Sequence, residues 1–162
     1  MSLNGIDIAS WQRGIDLTNL EYDFCIVKAN EGIEGNYPTL HEQADAVLSA
    51  GKLLGLYHFA RTGDPRQQAE VFVTQVQPYL GNAALFLDWE NAPYDPAVLR
   101  QGPEWAQRWL DEVYRLTHVV PLIYTSKSVT NEYDWSFVHN DLWLAQYASE
   151  NPVYGYQTKP WA

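Results

Sequence analysis

Two carboxylates one residue apart, Asp88 and Glu90, flank Trp89 at the end of the apolar run Ala84-Leu85-Phe86-Leu87. If that run is a strand, side chains alternate along it and the two acids share a face, with Cα atoms roughly 6.6 Å apart at about 3.3 Å per residue. Like charges so close raise the pKa of at least one, which is how a general acid is kept protonated near neutral pH. A helix-capping Asp followed by a solvated Glu would read the same way, and the pair alone does not choose. Asp7 adds a third acid between Ile6 and Ile8, on a short strand where a purely structural carboxylate is rare. Lys28 in Val27-Lys28-Ala29 could meet a substrate or serve as the ion-pair partner that lets an acid cluster fold; the second role is favoured, because buried lysines need such a partner. Tyr57, Trp89, Tyr124 and Tyr147 could be flat platforms for a sugar or ordinary packing.

Other chemistries find less support. Asp88 and Glu90 could hold Mg²⁺, but no Gly-x-x-x-x-Gly-Lys-Ser/Thr loop accompanies them, nor does a Gly-x-Gly-x-x-Gly follow the first strand. His41-Glu42-Gln43-Ala44-Asp45 lacks the second histidine of a zinc helix, and Ser10, Ser126 and Ser128 lack a nucleophile-elbow context. No metal or other cofactor is expected. The single cysteine, Cys25, lies in Phe24-Cys25-Ile26-Val27 and reads as a small buried hydrophobe.

The elements that must position these residues follow from pattern. At 162 residues, with 46% apolar and 19% charged residues, the chain suits one globular domain, 1–162. A formal charge of −10 argues against nucleic acid and against an anionic membrane surface, and no apolar run reaches the ~20 residues of a membrane span. Seven tryptophans and eleven tyrosines exceed what a core needs and lean toward carbohydrate. Strands are expected at Ile6–Ile8, Phe24–Ala29, Leu53–Phe59, in the opening run, at Pro121–Tyr124 and at Leu142–Tyr147. Helices are expected over Pro38–Ala50, from Asp64-Pro65 to before Pro78, and over Pro103–Leu116, with a helical turn around Asp16 to Leu20. Trp105 and Trp109, four apart on the third helix, belong to the core. Strands alternating with helices imply an α/β architecture with a parallel sheet and right-handed crossovers. Length alone favours an open doubly wound sheet, since a closed (β/α)8 barrel rarely takes fewer than about 200 residues.

Polar and aromatic residues gather at the strand ends, and six stretches in order carry a resemblance. They are Gly5-Ile6-Asp7-Ile8-Ala9-Ser10-Trp11-Gln12, Val27-Lys28-Ala29-Asn30-Glu31-Gly32, Gly55-Leu56-Tyr57-His58-Phe59, Leu87-Asp88-Trp89-Glu90, Ile123-Tyr124-Thr125-Ser126 and Leu142-Trp143-Leu144-Ala145-Gln146-Tyr147. Over nearly its whole length the chain resembles the glycoside hydrolase family 25 muramidases, the Chalaropsis-type lysozymes of phages, bacteria and fungi. The resemblance implies a modified TIM-like (β/α) barrel of mostly parallel strands. It also implies hydrolysis of the β-1,4 bond from N-acetylmuramic acid to N-acetylglucosamine in peptidoglycan. On it, Glu90 matches the general acid, Asp88 the residue that assists attack by the substrate's 2-acetamido group, and Asp7 an electrostatic partner. Tyr57, Phe59, Trp89, Tyr124, Gln146, Tyr147 and Lys28 become candidate substrate contacts.

The family's barrel has eight strands, and its last brings a further Asp. The resemblance therefore predicts two strands beyond Lys159-Pro160-Trp161-Ala162, and neither Asp134 nor Asp141 stands where that acid should. The expectation is a C-terminally shortened catalytic domain, with a non-catalytic glycan-binding barrel remnant as the alternative. Met1-Ser2-Leu3 runs into Asn4-Gly5-Ile6-Asp7 without a secretory segment, so action on the cell wall would follow release from the cytoplasm by lysis or another route.

Overall fold

The computed structural model describes residues 3–145. Six strands form one sheet: β1 (Gly5–Ile8), β2 (Phe24–Glu31), β3 (Leu53–Phe59), β4 (Ala83–Asp88), β5 (Leu122–Ser126) and β6 (Leu142–Ala145). All neighbouring pairs are parallel, and the spatial order is the chain order, β1 to β6. A doubly wound sheet reverses direction at a switch point. This one never does, so it curls as an arc of a (β/α) barrel, and the open doubly wound sheet that length favoured is not the one formed.

Between the strands lie α1 (Leu40–Ser49), α2 (Pro65–Val76), α3 (Pro103–Thr117) and a short α4 (Lys127–Glu132). The first three meet their expected ranges because local chemistry marks their ends. Asp64 caps α2 by accepting the Gln67 N–H at 2.9 Å, with Pro65 at the first helical position, and His118 closes α3 in the left-handed region at φ 58°. Leu40, Ala44 and Val47 of α1, Ala69, Phe72 and Val76 of α2, and Trp105, Trp109 and Val113 of α3 are buried against the outer face of the sheet. There they meet Cys25, Val27, Leu54, Leu56, Leu85 and Leu87. Burial pushes the Cys25 thiol up to about 12, which suits a packing role.

Two local expectations change. Residues 16–20 turn without forming a helix, because the Asp16 carboxylate takes the Thr18 N–H, the Thr18 hydroxyl and the Asn19 amide for itself. Strand β2 continues past Ala29 to Glu31 through a bulge: Lys28 pairs with Tyr57, but Asn30 pairs with His58 and Glu31 with Phe59. One extra residue flips the alternation. Lys28 and Glu31, three apart, therefore share the inner face with Tyr57 and Phe59, while Asn30 shares the outer face with His58. Among the described residues, no helix is long and apolar enough to cross a membrane.

Candidate active site

The inner face of the sheet opens at the C-terminal strand ends into a cleft of about 360 Å³ lined by residues from all six strands and the loops that follow them. Asp7 comes from β1, Lys28 from β2, Tyr57 and Phe59 from β3, Asp88 from the last position of β4 with Glu90 just beyond it, Tyr124 from β5 and Trp143 from β6. Asp7 from the first strand thus shares one cavity with Asp88 and Glu90 from the end of the fourth.

Their environments differ. Asp88 is 9% exposed, and its Oδ1 is the one buried carboxylate oxygen without a hydrogen-bond partner among the described residues. Burial, reinforced by the charge of Glu90, holds its pKa well above the ordinary carboxylate range, with Lys28 pulling the other way. Glu90 is also raised, first by burial and then by Asp7. Burial raises the Tyr57 phenol further, with Asp88 adding to it, so this hydroxyl stays protonated and able to donate. Two like-charged groups competing in low dielectric titrate as a pair that holds a proton to higher pH than either acid would alone.

Lys28 lines the same cleft, and its charge acts on Asp88. Its Nζ lies 2.6 Å from Glu31 Oε2, 4.6 Å above the Phe59 ring and 5.4 Å from the Tyr37 ring. The other oxygen of Glu31 holds Arg61 Nη2 at 2.6 Å, and the Arg61 guanidinium covers the Tyr94 ring at 4.0 Å. Lys28 thus lines the cleft as part of an ion-paired chain through Glu31. The bulge makes the chain possible, since without it Lys28 and Glu31 would point to opposite faces.

One candidate platform does not hold. Trp89 alternates away from its flanking acids, is fully buried, and packs edge-on against Tyr133 and Trp135 at 5.7 and 5.4 Å. It has no free face to offer a sugar. Its backbone serves instead: the N–H donates to Tyr124 O at 2.9 Å and the carbonyl accepts from the Thr125 hydroxyl at 2.7 Å, which fixes the chain between the two acids. Gln146 and Tyr147 lie outside the described residues. The cleft also gains Ala9, Trp11, Tyr94 and Trp143, which were not among the sequence candidates. Trp143 packs against Tyr124 at 4.6 Å and Phe86 at 5.6 Å. Proximity to Asp7 in the chain was a signal for Trp11; nothing local distinguishes Tyr94, which reaches the cleft through its loop.

Behind the cleft, on the outer face, His58 is fully buried. Its ring nitrogens meet Asn30 Oδ1 at 2.9 Å and Gln68 Oε1 at 3.0 Å, and the ring stacks on Trp109 at 5.2 Å. Gln68 in turn grips the main chain of Arg61, accepting its N–H at 3.1 Å and donating to its carbonyl at 2.9 Å. Burial pushes the His58 pKa down to about 3, so the imidazole is neutral at ordinary pH.

A curled parallel sheet with its acids gathered at the C-terminal mouth is the arrangement of a (β/α)-barrel enzyme. The sequence profile of the glycosyl hydrolases family 25 matches residues 6–162. The chain belongs to that family. An autolytic lysozyme of Clostridium acetobutylicum is 31% identical over 77 residues, which cover 46% of this chain and 24% of that protein, so the match spans about a quarter of the curated relative. Among solved structures, the catalytic domain of endolysin ply40 from bacteriophage P40 of Listeria monocytogenes superposes with a TM-score of 0.77 at 27% identity, over 91% of this chain and 75% of that one. A muramidase from Acremonium alcalophilum shares the fold, with a TM-score of 0.80 at 23% identity over 91% of this chain and 79% of its own.

Proposed function

We propose that this chain is a peptidoglycan hydrolase that cleaves the β-1,4 bond between N-acetylmuramic acid and N-acetylglucosamine. The observation that carries the reading is the convergence of Asp7, Asp88 and Glu90 in one cleft among aromatic walls, with a buried Asp88 oxygen that has no partner among the described residues. Family membership and the lysozyme and endolysin relatives support the substrate class.

Glu90 is the general acid. It is less enclosed than Asp88, so it can reach a glycosidic oxygen, and its raised pKa keeps a proton available for the leaving group. Asp88 faces the same cavity with one oxygen free to accept a hydrogen bond. Burial favours the proton on Asp88 in the free cleft; the N–H of a bound sugar's 2-acetamido group, donated to the Asp88 oxygen, stabilises its carboxylate, leaves the pair's proton on Glu90 and aligns the acetamido oxygen with the anomeric carbon. Lys28 eases that ionisation. With the substrate supplying the nucleophile, the carboxylate separations that sort retaining from inverting glycosidases do not apply. Asp7 supplies negative potential opposite the developing oxocarbenium charge, and Tyr57, Phe59 and Tyr124 shape the sugar site.

Release of reducing ends from a peptidoglycan suspension is the test. Wild type should release them, while Glu90→Gln, which keeps shape but has no acidic proton, should not. Equal release by both proteins would sink the assignment of Glu90; release by neither, with glycan still bound, would favour the binding-only alternative.

A further inference from the structure

Of the aromatic side chains in the cleft walls that the proposed chemistry leaves unused, Trp143 packs against Tyr124 and Phe86, while Trp11 and Tyr94 stand exposed. Trp11 is 91% exposed, more than any other large apolar side chain among the described residues, and Tyr94 is 62% exposed. Scattered exposed apolar residues need no explanation. These two differ because both line the cleft that holds the acids and both stand on loops fastened by polar contacts.

The helical turn Ser10–Gln12 buries none of its residues, yet it is anchored from several directions. The Ala9 N–H donates to Gln12 Oε1 at 2.9 Å, and the Ala9 carbonyl accepts from the buried Gln43 amide at 2.9 Å. The Ser10 N–H donates to the Tyr37 hydroxyl at 3.0 Å, and that hydroxyl donates back to Ser10 Oγ at 3.0 Å. So much anchoring of a turn that adds nothing to the core has one visible product: an indole held out beside Asp7. Tyr94 is held in a comparable way. Asp95 N–H donates to Ala92 O at 3.0 Å, and the Asp95 carboxylate accepts the Thr62 N–H at 2.7 Å and the Thr62 hydroxyl at 2.6 Å. The Arg61 guanidinium backs its ring, and Arg61 is itself tied to Glu31.

Each wall of acids therefore has its own aromatic: Trp11 follows the strand that carries Asp7, and Tyr94 follows the strand that leads to Asp88 and Glu90. The strands β1 and β4 are three spacings apart in the sheet, roughly 14 Å measured along it at about 4.8 Å per spacing. That exceeds one sugar ring. Rigidly presented aromatic faces give contact area at little entropic cost, since few rotatable bonds must be frozen.

We propose that Trp11 and Tyr94 are outer sugar platforms that hold a β-1,4-linked amino-sugar strand across the acids, so that the cleft recognises a chain of several sugars and acts within it. This rests on the reading of the cleft as a glycan hydrolase site. The two are tested apart by measuring binding in the Glu90→Gln protein, where turnover plays no part. Soluble β-1,4-linked N-acetylglucosamine oligomers, from the disaccharide upward, are titrated by calorimetry into Glu90→Gln and into the same protein carrying Trp11→Ala or Tyr94→Ala.

Affinity should rise with oligomer length in Glu90→Gln. Each alanine should weaken the long oligomers about tenfold and leave the disaccharide within about twofold. Trp11→Phe should recover most of the loss, which a merely structural effect on the turn would not predict. Unchanged long-oligomer affinity in both alanine proteins overturns the proposal, as does an equal loss for disaccharide and long oligomer. Failure of Glu90→Gln to abolish reducing-end release would instead count against the catalytic assignment and leave the binding result standing.

Discussion

Two buried polar groups sit on opposite faces of the same pair of strands and behave in opposite ways. His58 pairs in register with Leu87, and Phe59, the next residue, pairs with Asp88, so the imidazole points to the helices and the carboxylate to the cleft. Behind the sheet, the neutral His58 ring lies between the side-chain oxygens of Asn30 and Gln68 and donates its one N–H to one of them, while Gln68 also grips the Arg61 backbone. In front, Asp88 keeps an oxygen without a partner among the described residues and shares its space with another acid. A polar network tied to the main chain adds rigidity and fixes geometry. An open one costs stability and leaves a valence for something else to fill, as expected where substrate must bind. The two are linked through Arg61, whose backbone is held from behind by Gln68 while its guanidinium pairs with Glu31 in front.

Substitutions can break the contrast. The largest effect belongs to the front: Glu90→Gln should lower kcat on peptidoglycan by about 10²- to 10⁴-fold, the usual worth of a general acid, with an unfolding midpoint no lower than wild type. His58→Ala should do the reverse, costing about 3 kcal/mol in denaturant unfolding while activity per folded molecule stays within about twofold. If His58→Ala abolished activity in protein that remained folded, the division between the faces would be wrong.

A subtler separation comes from pH. The folded pKa of His58 is depressed to about 3 from 6.5, so its stability contribution is present above 6.5 and is lost as pH falls toward about 3. The folded pKa of Asp88 is raised, so its contribution is present below its ordinary 3.8 and is lost as pH rises through the raised value. Relative to wild type, Asp88→Asn should therefore gain stability progressively as pH rises above 3.8. The penalty of His58→Ala should shrink as pH falls below 6.5. Urea midpoints across pH for the three proteins check both slopes, and parallel curves would remove the distinction.

The smallest expected effect is that of Lys28→Met. Without the ammonium the acid pair holds its proton more tightly, so the pH profile of kcat/KM should move to higher pH by less than about one unit. A shift to lower pH would show that Lys28 does not act on Asp88.

Much of this was legible in the residues. Periodicity and end signals such as Asp64-Pro65 placed the three long helices, and the acid after each relevant strand named Asp7, Asp88 and Glu90 as a group. The four-residue spacing of Trp105 and Trp109 points to the core, where both are buried. Two readings fail for different reasons. A platform role for Trp89 conflicts with strand alternation, which turns it away from its two flanking acids. A helical turn at Asp16 fails because apolar spacing says nothing of a side chain that captures nearby donors.

The sequence by itself determined which residues carry charge and how they alternate, because propensity, capping and the period of two or 3.6 are local properties of the chain. Only the tertiary structure decided that a bulge turns Lys28 and Glu31 to one side, that Arg61 and Tyr94 join them, and that Asp88 is enclosed while Asp7 is not. Those outcomes depend on register between strands far apart in sequence and on the curl that brings their ends together. The same curl sets the solvent exclusion that raises the pKa values of Asp88 and Glu90, so the tendency of the acid pair to hold a proton is a property of the fold.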